Sequence, residues 1–296
     1  MYENITEDLL KIINTKIFCL GDLMLDKYVI GSSQRISPEG PIPILDIDQQ
    51  ITMLGGVGNV VRNLQAIGAK IYLVSLIGKD QAGLKIQREL QKKSIIKKLF
   101  KDPERPSTVK TRFIANDQQV LRVDYEKNKL IGSKLENQIF AASKKMILDS
   151  DAVVLSDYNK GIFTKSILKK IIDFSKKHDK PIVLDPKGEN FQKYKGVTLI
   201  TPNINELEVA VGKKFKDEKD LIFQSRLLIK KYKFKNILVT RGKLGMILIS
   251  SKKSNVLKLH TKAKEIFDVS GAGDTVVSFI SACLASKVSM ENSVKI

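Results

Sequence analysis

Apolar and polar positions change period along the chain, and the changes mark out its elements. Residues 16–20 form a short apolar run ending in Gly21-Asp22, which reads as a buried strand with Asp22 at its carboxyl end. Residues 27–30 and 42–48 alternate with period two on either side of Arg35-Ile36-Ser37-Pro38-Glu39-Gly40-Pro41. Prolines at 38, 41 and 43 disfavour helix and suit edge strands, so a small sheet projecting from a larger one is expected here. Gly55-Gly56-Val57-Gly58-Asn59 opens a helix to about Ile67, which Gly68 stops. Residues 71–76 read as a buried strand, and the turn 78–83 leads into a helix ending near Gln91. Residues 108–115 and 118–126 alternate about Asn116-Asp117 and predict a hairpin. From residue 151 the order is regular: strand 152–156, helix 164–177, strand 181–185, a short helix, strand 197–201, a helix from Asn205, helix 217–231 and strand 236–240. Such alternation predicts an α/β fold whose mostly parallel sheet is covered on both faces. No repeat, low-complexity tract or linker divides the chain, so a single domain over 1–296 with an inserted small sheet is expected.

Composition narrows the function. With 43% hydrophobic and 28% charged residues the chain is ordinary for a soluble globular protein. Glu3, Glu7 and Asp8 stand where a signal peptide would be basic, and no run approaches the roughly 18 apolar residues of a bilayer span, so a cytoplasmic location without membrane contact is expected. Cys19 and Cys283 lack metal-ligand spacing, and His178 and His260 stand far apart, which leaves zinc chemistry and a Ser-His-Asp triad with little support. The formal charge of +19 raises nucleic-acid binding. Its lysines, however, are spread over helix faces (Lys165, Lys169, Lys170, Lys176, Lys177) with few aromatics among them. The charge is expected to favour anionic small molecules, without a specific nucleic-acid partner.

The chemistry centres on Asp268-Val269-Ser270-Gly271-Ala272-Gly273-Asp274, followed by an apolar run from 275 to 285 that reads as a buried helix. Glycines at a helix start let the backbone approach a ligand, and free N–H groups there suit an anion. A carboxylate at Asp274 repels a phosphate but can take the proton of a hydroxyl that attacks it. The alternative is a glycine-rich turn with Asp as N-cap. Four strand ends carry further polar residues: Asp22; Asp185-Pro186-Lys187-Gly188; Thr201-Pro202-Asn203-Ile204-Asn205-Glu206; and Thr240-Arg241-Gly242. In a parallel sheet these ends share one edge, where ligands bind. Glu206, three residues after Asn203, can hold magnesium directly or through water, or be a capping partner. Asn59 can bond a polar ligand or cap its own helix. A dinucleotide fingerprint fails at Val61, and no G-x-x-x-x-G-K-[ST] P-loop occurs.

Taken together, the Gly-Asp after the first strand, GGVGNVVRN at 55–63, TPNINE at 201–206 and DVSGAGD at 268–274 resemble the ribokinase-like (PfkB) carbohydrate kinases, in order and over essentially the whole chain. The resemblance implies a three-layer α/β sandwich with a mostly parallel central sheet and a small β-sheet lid from about 27–50 and 107–126. It implies ATP and Mg2+, with Asp274 as the base that deprotonates a sugar hydroxyl and Gly271, Ala272 and Gly273 as the anion hole. Asn203, Ile204, Asn205 and Glu206 would lie at the ATP phosphates and magnesium, and Thr240, Arg241 and Gly242 near the nucleotide. Asp22, Gly55, Gly56 and Asn59 would grip the sugar, and the lid would join a homodimer. GDLMLDKY, RISPEGPIPI, QQVLRVDYE, LSDYNKG and DPKG resemble the branch that phosphorylates C1 of D-glycero-β-D-manno-heptose 7-phosphate, on the route to ADP-heptose for lipopolysaccharide. Another sugar kinase of the family and a ligand-binding homologue without turnover are the alternatives. A sugar that already carries a phosphate needs a cationic pocket. Arg35, Lys110, Arg112, Arg122 and Lys187 are candidates, each with a surface or lid ion pair as its other role. The sequence ends at Ile296, twenty-two residues after Asp274, short of the family pattern, so an incomplete nucleotide pocket is expected. The H-x-G-H motif of the two-function version is absent, which leaves the adenylyl step to a separate adenylyltransferase or a part not present.

Overall fold

Runs of Val, Ile and Leu with polar residues only at their ends can be buried on both faces, and here they assemble one large sheet. The computed structural model describes residues 10–251, 256–260 and 271–296. In chain order these form β1 (Lys16–Gly21), β2 (Leu23–Ile36), β3 (Pro43–Gly56), α1 (Val57–Ala66), β4 (Lys70–Ile77), α2 (Gln81–Glu89), β5 (Ile95–Lys101), β6 (Thr108–Ala115), β7 (Gln118–Tyr125) and α3 (Ser133–Leu148). There follow β8 (Ala152–Ser156), α4 (Lys165–Lys177), β9 (Ile182–Asp185), a 3₁₀ turn (Phe191–Tyr194), β10 (Leu199–Ile200), α5 (Ile204–Val211), α6 (Glu218–Tyr232), β11 (Asn236–Thr240), β12 (Met246–Ser250), β13 (Val256–Leu259), α7 (Ala272–Ala285) and a short α8 (Met290–Ser293). Asp268, Val269 and Ser270, and the acidic residues Glu3, Glu7 and Asp8, lie outside the described residues.

Among the described residues the large sheet has the order β13-β12-β11-β10-β9-β8-β1-β4-β5. The seven strands from β11 to β5 run parallel; β12 is antiparallel to both its neighbours. After β1 the chain proceeds outward through β4 and β5, then returns to β1's other side with β8, so β1 and β8 flank the point where strand order reverses. That is where an open α/β sheet leaves a crevice at its carboxyl edge. Successive side chains of β1 enter opposite layers. Phe18 and Leu20 pack under α3, α4 and α6 with Ile139, Ile171 and Leu221. Ile17 and Cys19 pack under α1, α2 and α7 with Val60, Ile86 and Ile280. The result is the expected three-layer α/β sandwich.

A second sheet, β3-β2-β6-β7, stands apart. Its first two strands are much longer than the alternating stretches 27–30 and 42–48: each has 14 residues. Register shifts at Ile30/Gly31 and Ser32/Arg35 absorb the break in alternation, and the pairing continues down to Leu23 opposite Gly56. Two elements fall where the pattern has no clean period. In α3 the buried face carries Glu136 and Ser143, whose polar groups interrupt the apolar stripe. Glu136 accepts from Thr164 and Ser166 at 2.5 Å each and from Lys170 at 3.0 Å, which clamps α3 to α4 and holds its carboxyl below the ordinary range despite burial. β5 is an edge strand with Lys97 and Lys98 at its centre.

Candidate active site

The parallel ladder brings distant segments to one line. Gly21 is in register with Ser156, and Ser156 with Asp185, so the loops after β1, β8 and β9 lie side by side. Thr240 bridges Asn203, which adds the ends of β10 and β11. Helix α7 crosses this edge from the other layer, packed on α1 through the Ser278 hydroxyl on the Val60 carbonyl (3.2 Å) and through Asn63 on Thr275 (3.1 Å).

Asp274 is the third residue of α7. Its N-cap position belongs to Gly271, at φ 80°, and no side chain caps the helix. The carboxylate therefore does not serve as the N-cap. One oxygen accepts from Asn59 Nδ2 at 2.8 Å, the other from the Tyr158 hydroxyl at 2.9 Å. Burial, with Asp26 nearby, raises the carboxyl above the ordinary range, and the two hydrogen bonds oppose that shift. Gly271 is dictated by geometry: a Cβ there would lie 2.5 Å from Asn59 Nδ2. A Cβ on Gly273 would meet nothing within 4 Å, so open space faces the first turn, whose N–H groups have no partner within the helix. A buried carboxylate beside free helix N–H groups can accept a proton from a hydroxyl while the backbone holds an anion.

Asp22, expected to grip the sugar, has its carboxylate engaged within the protein. Its side chain is 5% exposed and accepts the backbone N–H groups of Tyr158 (3.0 Å), Lys160 (3.1 Å) and Ile162 (3.5 Å). Burial, then the neighbouring Asp157, push its carboxyl up to about 6. Asp26, which the motifs do not single out, is less buried, with 17% of its side chain exposed. It lies near Asp274 and receives Arg112 Nη1 at 2.5 Å, and Arg112 stacks on Tyr28 at 5.3 Å. Gly55 and Gly56 permit this approach: a Cβ would lie 2.0 Å from Asp26 Oδ2 at Gly55 and 2.3 Å from the Asp22 carbonyl at Gly56, where φ is 59°. Gly55 is the signal in the sequence that could have pointed to Asp26. Tyr158 could have been found by adding the end of β8, Ser156-Asp157-Tyr158, to the four polar strand ends.

The basic candidates separate. Lys110 and Arg112 are largely buried within the lid sheet, Lys110 paired with Asp124 at 2.9 Å and Glu126 at 3.4 Å; Lys160, also unanticipated, reaches the same Glu126 at 2.7 Å. Arg35 pairs with Asp46 at the distal end of the β2–β3 hairpin and Arg122 with Asp124 on the edge strand, with 66% and 52% of their side chains exposed, and Arg122 shares that Asp124 with Lys110. Lys187 lies on the other flank, on Glu206 at 2.7 Å.

Asn203 and Glu206 form a reciprocal capping box at the start of α5, in which Ile204 and Asn205 are the first two helical residues. Of the two roles considered for Glu206, capping is the one formed here: one oxygen accepts the Asn203 N–H while the other faces Lys187. Asp185 stands beside it, its carboxyl raised well above the ordinary range by burial and by Glu206 and Asp274. Among the described residues no three His, Cys, Asp or Glu side chains gather as a ligand set, so a divalent cation beside Glu206 would take its remaining ligands from phosphate oxygens and water. Arg241 turns away to Glu218 (2.9 Å) and the Leu244 carbonyl (3.1 Å), while Gly242, at φ 55°, opens the loop after Thr240. Among the described residues a cleft of about 450 Å³ adjoins this loop, lined by Ile204, Phe215, Leu221, Arg241 and Leu244 among others.

The chain matches the family model described as pfkB family carbohydrate kinase over residues 14–296. It is 41% identical over 277 residues to the Bifunctional protein HldE of Paramagnetospirillum magneticum, covering 93% of this chain and 57% of that protein. It is 37% identical over 289 residues to the protein of the same name from Granulibacter bethesdensis, covering 96% and 60%. The chain thus spans less than two thirds of the length of these relatives. Its fold is similar to the tetrameric inhibited form of phosphofructokinase-2 from Escherichia coli (TM-score 0.77, 18% identity, 95% of this chain and 91% of that one). It is also similar to Arabidopsis thaliana ribokinase complexed with ribose and ATP (TM-score 0.70, 17% identity, 96% and 90%). A match over nearly the whole chain, on a fold that gathers its strand ends around Asp274, establishes that the chain belongs to the pfkB family of carbohydrate kinases.

Proposed function

We propose that the protein transfers the γ-phosphoryl group of ATP to a sugar phosphate, and that the acceptor is the C1 hydroxyl of D-glycero-β-D-manno-heptose 7-phosphate, giving the 1,7-bisphosphate for ADP-heptose and lipopolysaccharide synthesis in the cytoplasm. The observation that carries the reaction is Asp274, a buried carboxylate held by Asn59 and Tyr158 at the glycine-lined start of α7. Asp274 takes the hydroxyl proton as the sugar oxygen bonds to phosphorus and the bond to the ADP oxygen breaks. The N–H groups of Gly271, Ala272 and Gly273 carry the negative charge on the transferring group. Asn203 and the Thr240–Gly242 turn face the nucleotide side. Glu206, directly or through water, would hold magnesium, which when bound neutralises phosphate charge.

Asp26, Asn59, Gly55 and Gly56 form the sugar side, with Arg112, Lys110 and Lys160 as the cations nearest it for the sugar's own phosphate. The heptose branch is supported by the relatives named Bifunctional protein HldE and by the motifs quoted above. The adenylyl step that follows is left to a separate protein or segment. A homodimer through the lid is supported by β7, an edge strand exposing Val120, Leu121, Val123 and Tyr125. A monomer by light scattering at micromolar concentration would remove that part. The substrate is tested by ADP release with heptose 7-phosphate, fructose 6-phosphate, ribose and adenosine in parallel. Preference for an unphosphorylated sugar or nucleoside would overturn the branch while leaving the family intact.

A further inference from the structure

Asp274 is oriented by a strut that begins at the other end of the crevice. The loop 157–162 after β8 is pinned along its length. At its start Asp157, 1% exposed, accepts from Tyr194 (2.6 Å), Lys193 (2.7 Å) and the Asn159 N–H (2.7 Å). Along its length the loop delivers three N–H groups to Asp22, from Tyr158, Lys160 and Ile162, and Arg105 Nη1 donates to the Lys160 carbonyl at 2.6 Å. Gly161, at φ 98°, leaves no room for a Cβ, which would lie 2.0 Å from the Lys129 carbonyl. A loop tied this way has little freedom, and the side chain it projects is Tyr158, whose hydroxyl meets Asp274. Burial and the carboxylates of Asp274, Asp185 and Asp26 keep this phenol protonated, so it acts as a donor throughout the working pH range.

Resting on the reading of Asp274 as the base, we infer that Tyr158 is a positioning residue for it: Asp22 fixes the loop, the loop fixes the phenol, and the phenol with Asn59 fixes the carboxylate. Asn59 alone leaves the carboxylate free to rotate about its contact with α1. The second donor, from the loop after β8, sets the plane in which a free lone pair meets the sugar hydroxyl. A shift of about 1 Å in such a geometry costs on the order of 100-fold in rate.

The test uses Tyr158→Phe, which deletes one oxygen, together with Asp22→Asn, the double variant and Asp274→Asn. Each is checked for folding by thermal unfolding and assayed with ATP, magnesium and the best acceptor of the panel above. Tyr158→Phe is expected to lower kcat about 10- to 100-fold, the worth of a hydrogen bond to a charged group, with KM for ATP within about twofold. The groups facing Asp274 are Asn59 from α1, Asp26 from β2 with Arg112 from β6 behind it, Asp185 from β9, and Tyr158. Losing the only one that donates from the β8 side moves the acid limb of kcat/KM to higher pH by about one unit. Asp22→Asn weakens the same strut, because a carboxamide offers one acceptor oxygen and sets an NH2 against the loop's donors. The double variant should therefore be no worse than its poorer single parent. Wild-type kcat and acid limb in Tyr158→Phe, or additive losses in the double variant, with Asp274→Asn inactive, would overturn the strut alone. Asp274→Asn retaining turnover would overturn the base and the strut together.

Discussion

Replacing Asp274 by Asn separates a proton acceptor from a structural polar residue, because the two side chains have nearly the same shape. The structure limits what the change costs in stability. The helix is capped at Gly271, so no cap is lost; what goes is one negative charge in the first turn, worth about 0.3–1 kcal/mol. Against this, a buried charge near Asp26 is removed. Asn59 can still donate to the carboxamide oxygen, and the carboxamide NH2 can donate to the Tyr158 oxygen, which accepts as well as it donates. The variant should unfold within a few degrees of the parent, since 1 kcal/mol moves Tm by about 2–4 °C in a chain of this size. Turnover is another matter, because a carboxamide takes no proton at neutral pH. The expected loss is 10²- to 10⁴-fold in kcat, about 2.7–5.4 kcal/mol at 1.36 kcal/mol per decade. The assay is coupled ADP release at saturating sugar phosphate, beside a thermal shift with ATP and magnesium to show that nucleotide still binds. A folded Asp274→Asn protein turning over within about threefold of the parent would refute the base.

Gly271→Ala places a side chain at φ 80° with its Cβ 2.5 Å from Asn59 Nδ2; it should cost about 1–3 kcal/mol in urea unfolding and lower kcat by displacing Asn59, and an unchanged kcat would count against the Asn59–Asp274 contact. Gly55→Ala drives a Cβ onto Asp26 Oδ2 and should raise KM for the sugar at least about tenfold while KM for ATP holds; equal changes in both would argue that the lid and the nucleotide side are not separate. The buried Asp22 predicts a pH dependence of stability. Its folded pKa, about 6, exceeds its unfolded value of about 3.9, so its contribution is complete below the latter and is lost as pH rises through the former. Unfolding free energy from this residue should be about 1.4 kcal/mol higher at pH 5 than at pH 7.5, and the difference should vanish in Asp22→Asn; the same slope in both proteins would assign it elsewhere.

Legibility followed the range of the interaction. The four polar strand ends and the α7 start could be read from sequence because a parallel sheet lines up its carboxyl edges whatever their loops contain, and adjacent glycines mark close backbone approach. What could not be read was side-chain direction across elements. Asp22 and Asp26 are four residues apart, the first at the β1–β2 junction and the second inside β2. Which of them faces the crevice depends on Leu23 pairing with Gly56 and on the loop 157–162 supplying N–H groups to Asp22. Neither fact is local. The cations show the same limit: Arg35 and Arg112 both sit in the segments expected to form the lid, yet one meets Asp46 at the hairpin's far end and the other Asp26 beside Asp274. The length of β2 and β3 was hidden because bulges at Gly31 and Ser32 break the period without breaking the ladder.

The glycines and the buried carboxylates answer one requirement. A phosphoryl-transfer site must bring an acceptor, a base and an anion hole within a few ångströms, closer than side-chain-bearing backbones ordinarily come. Here the close approaches fall at three seams: Gly21 against the Ser156 carbonyl (a Cβ would lie 2.4 Å away), Gly56 against the Asp22 carbonyl, and Gly271 against Asn59. Each seam joins two of the segments that carry Asp22, Tyr158, Asn59 and Asp274. Backbone drawn so close leaves polar groups without water, and the buried acids supply acceptors for them: Asp22 for the loop N–H groups, Asp157 for Tyr194 and Lys193. Asp22 is thus tied to Tyr158 and Asp274 through the loop it holds, and its burial leaves Asp26 as the carboxylate beside Asp274.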